Sequence, residues 1–147
     1  MYNKALELLE ALEDLNWENY IEIADRATQC DKHNIDDELT RQSSVYSYYQ
    51  GLLSVAKKRL DDANLDLTTY TAQTRKTHKS SSTTKQTAKD LDDFVEASEE
   101  FGVYSKKVND AYFKYTLLKG LVSALEHKKD MLVQLSSNRR AETNLYR

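Results

Sequence analysis

Two apolar runs, each 32 residues long, limit what this chain can become more than any other feature of it. In the first, Leu39, Gln42, Tyr46, Tyr49, Leu53, Ala56, Leu60, Ala63, Leu67 and Tyr70 follow one another at alternating steps of three and four. The same steps carry Phe94, Ala97, Phe101, Tyr104, Val108, Ala111, Tyr115, Leu118, Val122 and Leu125. Nineteen of the twenty positions are apolar or aromatic, with Gln42 the exception. Such spacing keeps one face of a helix apolar, and over more than four heptads it is the pattern of a coiled coil. The absence of proline and the presence of only three glycines leave few places for such helices to break. The sequence predicts an all-α protein.

The equal lengths of the two runs suggest that they pair. Folded back antiparallel with Tyr70 beside Phe94, they bring Leu67 to Ala97, Ala63 to Phe101, Ala56 to Val108 and Leu53 to Ala111. Large residues then face small ones repeatedly, which fills the interface without voids. The expectation is a long antiparallel coiled-coil helical hairpin preceded by two shorter helices. Leu6, Leu9 and Leu12, flanked by Leu8 and Leu15, mark the first of these. Trp17, Tyr20, Ile21 and Ala24 mark the second, with Asn16 as its cap and Asp36 or Asp37 capping the helix after it. The predicted organisation is an acidic helical segment over 1–34 and a hairpin over 35–147, with its tip near 75–89 and a helical extension at its end. Beyond Leu125 the seam fails at Lys129 and Ser136, and Leu121, Leu125, Met131, Leu132 and Leu135 continue on a shifted face.

Charge is unevenly distributed. Residues 1–40 hold eleven acids and three bases, so a chain of net charge −3 is net +5 over the remainder. The stretch "RKTHKSSSTTKQTAK" at 75–89 has five cations, no acid and no large apolar side chain, and "SSSTT" within it reads as the turn. One cysteine, Cys30, allows no internal disulfide and suits a reducing compartment. No apolar run approaches spanning length, so a cytoplasmic protein without membrane partners is expected.

Catalytic patterns are missing. The sequence lacks a Gly-rich phosphate loop, GxSxG and HExxH. Cys30 and His33 lie three apart, but a structural zinc site needs four ligands, and His78 and His127 fall in other segments. The pairs Asp61–Asp62 and Asp92–Asp93 lie off the seam. Neither enzymatic activity nor a metal or cofactor is expected. Phosphate binding, in contrast, requires cations and no pocket. The cations fall in three places: Lys57, Lys58 and Arg59; the stretch with Arg75, Lys76, Lys79, Lys85 and Lys89; and Lys128, Lys129, Arg139 and Arg140. Asp61 and Asp62 follow the first group closely enough to pair with it. Tyr48, Tyr112 and Tyr146, off the seam, are candidate platforms for stacked bases.

"AKKRLDDANLDLTTY", a polar gap, and "YTLLKGLVSALEHKKDMLVQLSSNRRAE" together resemble the UvsY-type recombination mediators of tailed phages, over residues 40–142. The small residue, amphipathic stretch and closing basic residues of that family correspond to Gly120 and the run from Leu121 to Arg140. The resemblance implies a homo-oligomeric, non-enzymatic protein that binds single-stranded DNA in the host cytoplasm. It also implies two protein partners, a recombinase and the single-strand-binding protein that the recombinase must displace. Lys57, Lys58 and Arg59 match the family's DNA-contacting segment, whereas Arg75, Lys76, Lys79, Lys85 and Lys89 are added on charge alone. The acidic segment 1–34 and Asp61 and Asp62 depart from the family pattern. The alternative expectation is a coiled-coil adaptor or virion assembly protein whose tip is only a solvated turn.

Overall fold

The computed structural model describes residues 2–31 and 33–145, and every regular element within them is a helix. The elements are α1 (Tyr2–Glu13), α2 (Trp17–Thr28), α3 (Ile35–Ser81), α4 (Ala88–Glu96) and α5 (Glu99–Leu145). The class is all-α, as the sequence predicts. The side chains of Leu6 and Leu8, and Tyr146, fall outside the described residues.

Short polar side chains set the helix boundaries. Asn16 caps α2: its Oδ1 accepts from the Asn19 backbone N–H at 3.0 Å, and its own N–H donates to Asn19 Oδ1 at 2.9 Å. α3 starts at Ile35, so Asp36 and Asp37 lie inside its first turn with Glu38 and do not cap it. There their charges offset the positive end of the helix. Ser98 interrupts what reads in sequence as one continuous second run. Its Oγ accepts from the Phe101 N–H at 3.3 Å, the N-cap geometry of a new helix, and donates to the Val95 carbonyl at 2.6 Å. Phe94 and Ala97 consequently leave the seam and are exposed, and α4 buries Val95 instead.

Contacts divide the chain into two compact units, Met1–Ala56 with Lys114–Arg147, and Lys57–Phe113. In the first, Leu12, Leu15, Leu52, Ala56, Leu117 and Leu118 form one cluster, and Ala27, Leu121 and Leu125 form another against Tyr20, Ile23, Ala24, Val45, Tyr46 and Tyr49. Each fully buried leucine contributes about 1.5–3 kcal/mol. Gln42, the odd seam residue, is buried and donates through Nε2 to the Leu125 carbonyl at 2.7 Å. Tyr46 donates its hydroxyl to Glu126 at 2.9 Å. That hydrogen bond, with burial and the Glu126 charge adding to it, raises the Tyr46 pKa above its ordinary value. The Tyr49 pKa is also raised, first by burial.

Lys128 is the unexpected member of this core. Only 8% of its side chain is exposed; Nζ lies 2.8 Å from Glu38 Oε2 and donates to the Ala27 carbonyl at 3.2 Å. It ties α2, the first turn of α3 and α5 together, so it is not one of the surface cations its sequence neighbourhood suggests. Past Leu125 the buried face runs through Lys128 and Leu132, not Lys129.

In the second unit, the seam positions Leu60, Ala63, Leu67 and Tyr70 are buried or half-buried, as are Phe101, Tyr104, Val108 and Ala111. The expected register does not hold. Tyr70 stacks on Tyr104 at 5.0 Å between ring centroids and its hydroxyl meets Ser98 Oγ at 2.8 Å, while Phe94 stacks on His78 at 3.7 Å. In the first unit, Ala56 shares its cluster with Leu117 and Leu118 in place of Val108. The shift follows from the turn: α3 continues past Tyr70 to Ser81, and the connection is residues 82–87, later in the chain than a pairing of Tyr70 with Phe94 requires.

Candidate nucleic-acid interface

The cationic stretch 75–89 is mostly helical, contrary to its appearance as a loop. With no Gly or Pro in it, nothing prevents α3 from continuing while His78 supplies an inward ring. His78 lies nearly parallel to Phe94, at 8°, and its Nε2 is 2.9 Å from Gln86 Nε2. The helix then ends among hydroxyls that bond locally. Ser80 donates to the Thr77 carbonyl and Ser81 to the His78 carbonyl, while Ser82 reaches the Thr84 carbonyl at 3.2 Å. Thr87 caps α4 in a reciprocal box with Asp90, and these hydrogen bonds hold the Asp90 carboxyl below its ordinary pKa. Most of these hydroxyls are engaged in shaping the turn.

The eight candidate cations have different fates. Lys57 and Lys58 each place Nζ 2.6 Å from a carboxylate one turn on, Asp61 and Asp62. Such exposed pairs contribute about 0.2–1 kcal/mol and leave little net charge at that surface. Arg59 is half-buried beside them. Arg75 pairs with Asp92 and so joins α3 to α4. Lys76, Lys79, Lys85 and Lys89 are all exposed and form no ion pair among the described residues. Lys76 and Lys79 share a face of α3, Lys85 is on the 82–87 connection, and Lys89 is in the first turn of α4. The nearby acids are partly committed: Asp90 to the cap and Asp92 to Arg75. The structure therefore groups four free lysines at the α3–α4 turn. It leaves Lys57, Lys58 and Arg59 about 27 Å back along α3, eighteen residues at about 1.5 Å each.

Tyr48 and Tyr112 are 45% and 59% exposed, but neither adjoins the lysines in sequence, and Tyr48 packs edge-on against Tyr49. Among the described residues no three His, Cys, Asp or Glu side chains converge as a metal site would need. No described helix is long and apolar enough to cross a membrane. What sequence inspection misses is the use of His78, Phe94 and Gln86 to hold the turn. Two steps of four, from Tyr70 through Thr74 to His78, stay near the seam's face of α3 and are the signal that could have shown it. No family model, curated protein or solved structure matches this chain.

Proposed function

We propose that this chain is a non-enzymatic, homo-oligomeric single-stranded DNA-binding protein of the recombination-mediator kind, acting in the cytoplasm to help a recombinase displace single-strand-binding protein. In this proposal α3 and α5 pair as a long antiparallel coiled-coil hairpin, and its cationic end meets the phosphate backbone. The carrying observation is the set of four exposed lysines without ion pairs among the described residues, Lys76, Lys79, Lys85 and Lys89, around one turn. Cations that already have carboxylate partners must exchange them to bind phosphate, whereas these four need only release counterions. Stacking of Phe94 on His78 and the Arg75–Asp92 pair give the lysines a fixed base. Several subunits presenting such weak patches to one strand would multiply their affinity. The test is anisotropy of labelled oligo-dT with Lys76, Lys79, Lys85 and Lys89 all replaced by Gln. Loss of binding is expected, and undiminished binding would remove the turn from the interface.

A second function, a coiled-coil adaptor, is favoured by one observation. Trp17 and Ile21 sit one turn apart on α2 and are 56% and 53% exposed, a pair suited to a protein partner. An adaptor would ignore oligo-dT at any salt concentration.

A further inference from the structure

The first unit carries another cationic place that the lysine turn does not account for. On α5, Ser136, Arg139, Arg140 and Thr143 recur at helical steps and share one face. With Asp36 from the first turn of α3 they line an open cleft of about 520 Å³. Arg140 is already oriented: its Nε donates to the Ser136 carbonyl and its Nη2 to Ser136 Oγ, both at 3.3 Å. A guanidinium has five N–H donors, so several remain for a ligand. The Arg139 side chain has no partner among the described residues. Thr143 spends its proton on the Arg139 carbonyl at 2.8 Å. Ser136 Oγ accepts from Arg140 and keeps its own proton to give. Asp36 is the one acid lining the cleft. It forms no ion pair with either arginine among the described residues, and its charge offsets the positive end of α3. Two cations, one hydroxyl donor and one partly compensated acid make an anion site with planar donors, which fit the oxygens of a phosphate group two at a time.

We infer that this cleft is a second phosphate-binding site. Its ligand would be a phosphodiester of the bound strand. That assignment rests on the proposed DNA-binding function, and the phosphate site itself does not.

The test uses the full chain with nitrogen-15-labelled arginine side chains, titrated separately with inorganic pyrophosphate and with oligo-dT. Both probes are expected to shift the Arg139 and Arg140 Nε–H resonances. Arg139→Gln and Arg140→Gln assign the two resonances by their disappearance, and the double variant should flatten the salt dependence of oligo-dT affinity by about 1.4 logarithmic units per unit, or about 0.7 per lost contact. Replacing the four turn lysines with Gln should leave the pyrophosphate shifts intact. Both arginines are exposed, so circular dichroism should be unchanged in the arginine variant. If oligo-dT binds while both resonances stay still for either probe, the inference is wrong. If pyrophosphate moves them but oligo-dT does not bind, the phosphate site stands and the DNA-binding function falls.

Discussion

Replacing Lys128 with Met should be one of the more damaging single changes to this protein, although a lysine in so polar a stretch of α5 would ordinarily be dispensable. The Lys128 side chain is 8% exposed and that of its partner Glu38 21%. Methionine fills the volume but removes both hydrogen bonds, leaving the Glu38 carboxylate and the Ala27 carbonyl without a donor. Breaking a buried ion pair from one side costs about 3–5 kcal/mol. Because Glu38 keeps a fifth of its surface in water, the lower end, about 3 kcal/mol, is expected. For a chain of this size that corresponds to a midpoint lower by about 6–12 °C. Urea unfolding followed by Trp17, the lone tryptophan and a member of the same unit, measures it. Adding Glu38→Leu should recover most of the loss, since an apolar pair of similar volume can replace a buried salt bridge at little cost, while the Ala27 carbonyl stays unpaired. A loss below about 1 kcal/mol for Lys128→Met, or no coupling with Glu38→Leu in a double-mutant cycle, would show the pair to be solvated and not a buried one.

Two further outcomes follow from the helices themselves. Gly120 lies in the interior of α5, where an added Cβ would sit 3.5 Å from the Tyr20 hydroxyl, an ordinary contact; Gly120→Ala should therefore stabilise by about 0.5–1 kcal/mol in the same urea assay. Asp90, whose folded pKa is lowered by the Thr87 cap, contributes stability that is present above the unfolded value of 3.8 and is lost as pH falls through the folded pKa. The difference in unfolding midpoint between wild type and Asp90→Asn should accordingly be full at neutral pH and vanish in acid; a constant difference would contradict the cap's role.

The seams were legible because burial follows their spacing: eighteen of the twenty positions, all but Phe94 and Ala97, are buried or half-buried. Those two failed for a local reason, the competing cap at Ser98, whose side chain outweighed the periodicity around it. Register was less legible, since it depends on where α3 stops, and Ser- and Lys-rich sequence without Gly or Pro does not mark that point. The pairing of Lys57 and Lys58 could be anticipated from aspartates four residues on. The Arg75–Asp92 and Lys128–Glu38 pairs could not, because each joins residues far apart in sequence whose meeting depends on the register. Sequence thus overstated the cationic surface: of the eight candidates it offered, the four lysines at the α3–α4 turn are those left exposed and without ion pairs among the described residues.

The most direct test of the account is the salt dependence of oligo-dT affinity. Four lysine–phosphate contacts on a single strand contribute about −2.8 to the logarithmic slope, which is about a 50-fold weakening between about 50 and 200 mM salt. At least that change is expected for wild type, with Arg139 and Arg140 adding to it, and any binding that survives replacement of Lys76, Lys79, Lys85 and Lys89 by Gln should have a slope flatter by about 2.8. Affinity that ignores salt, or no binding at micromolar protein in the lower salt, would contradict it and leave the lysine turn as solvated surface.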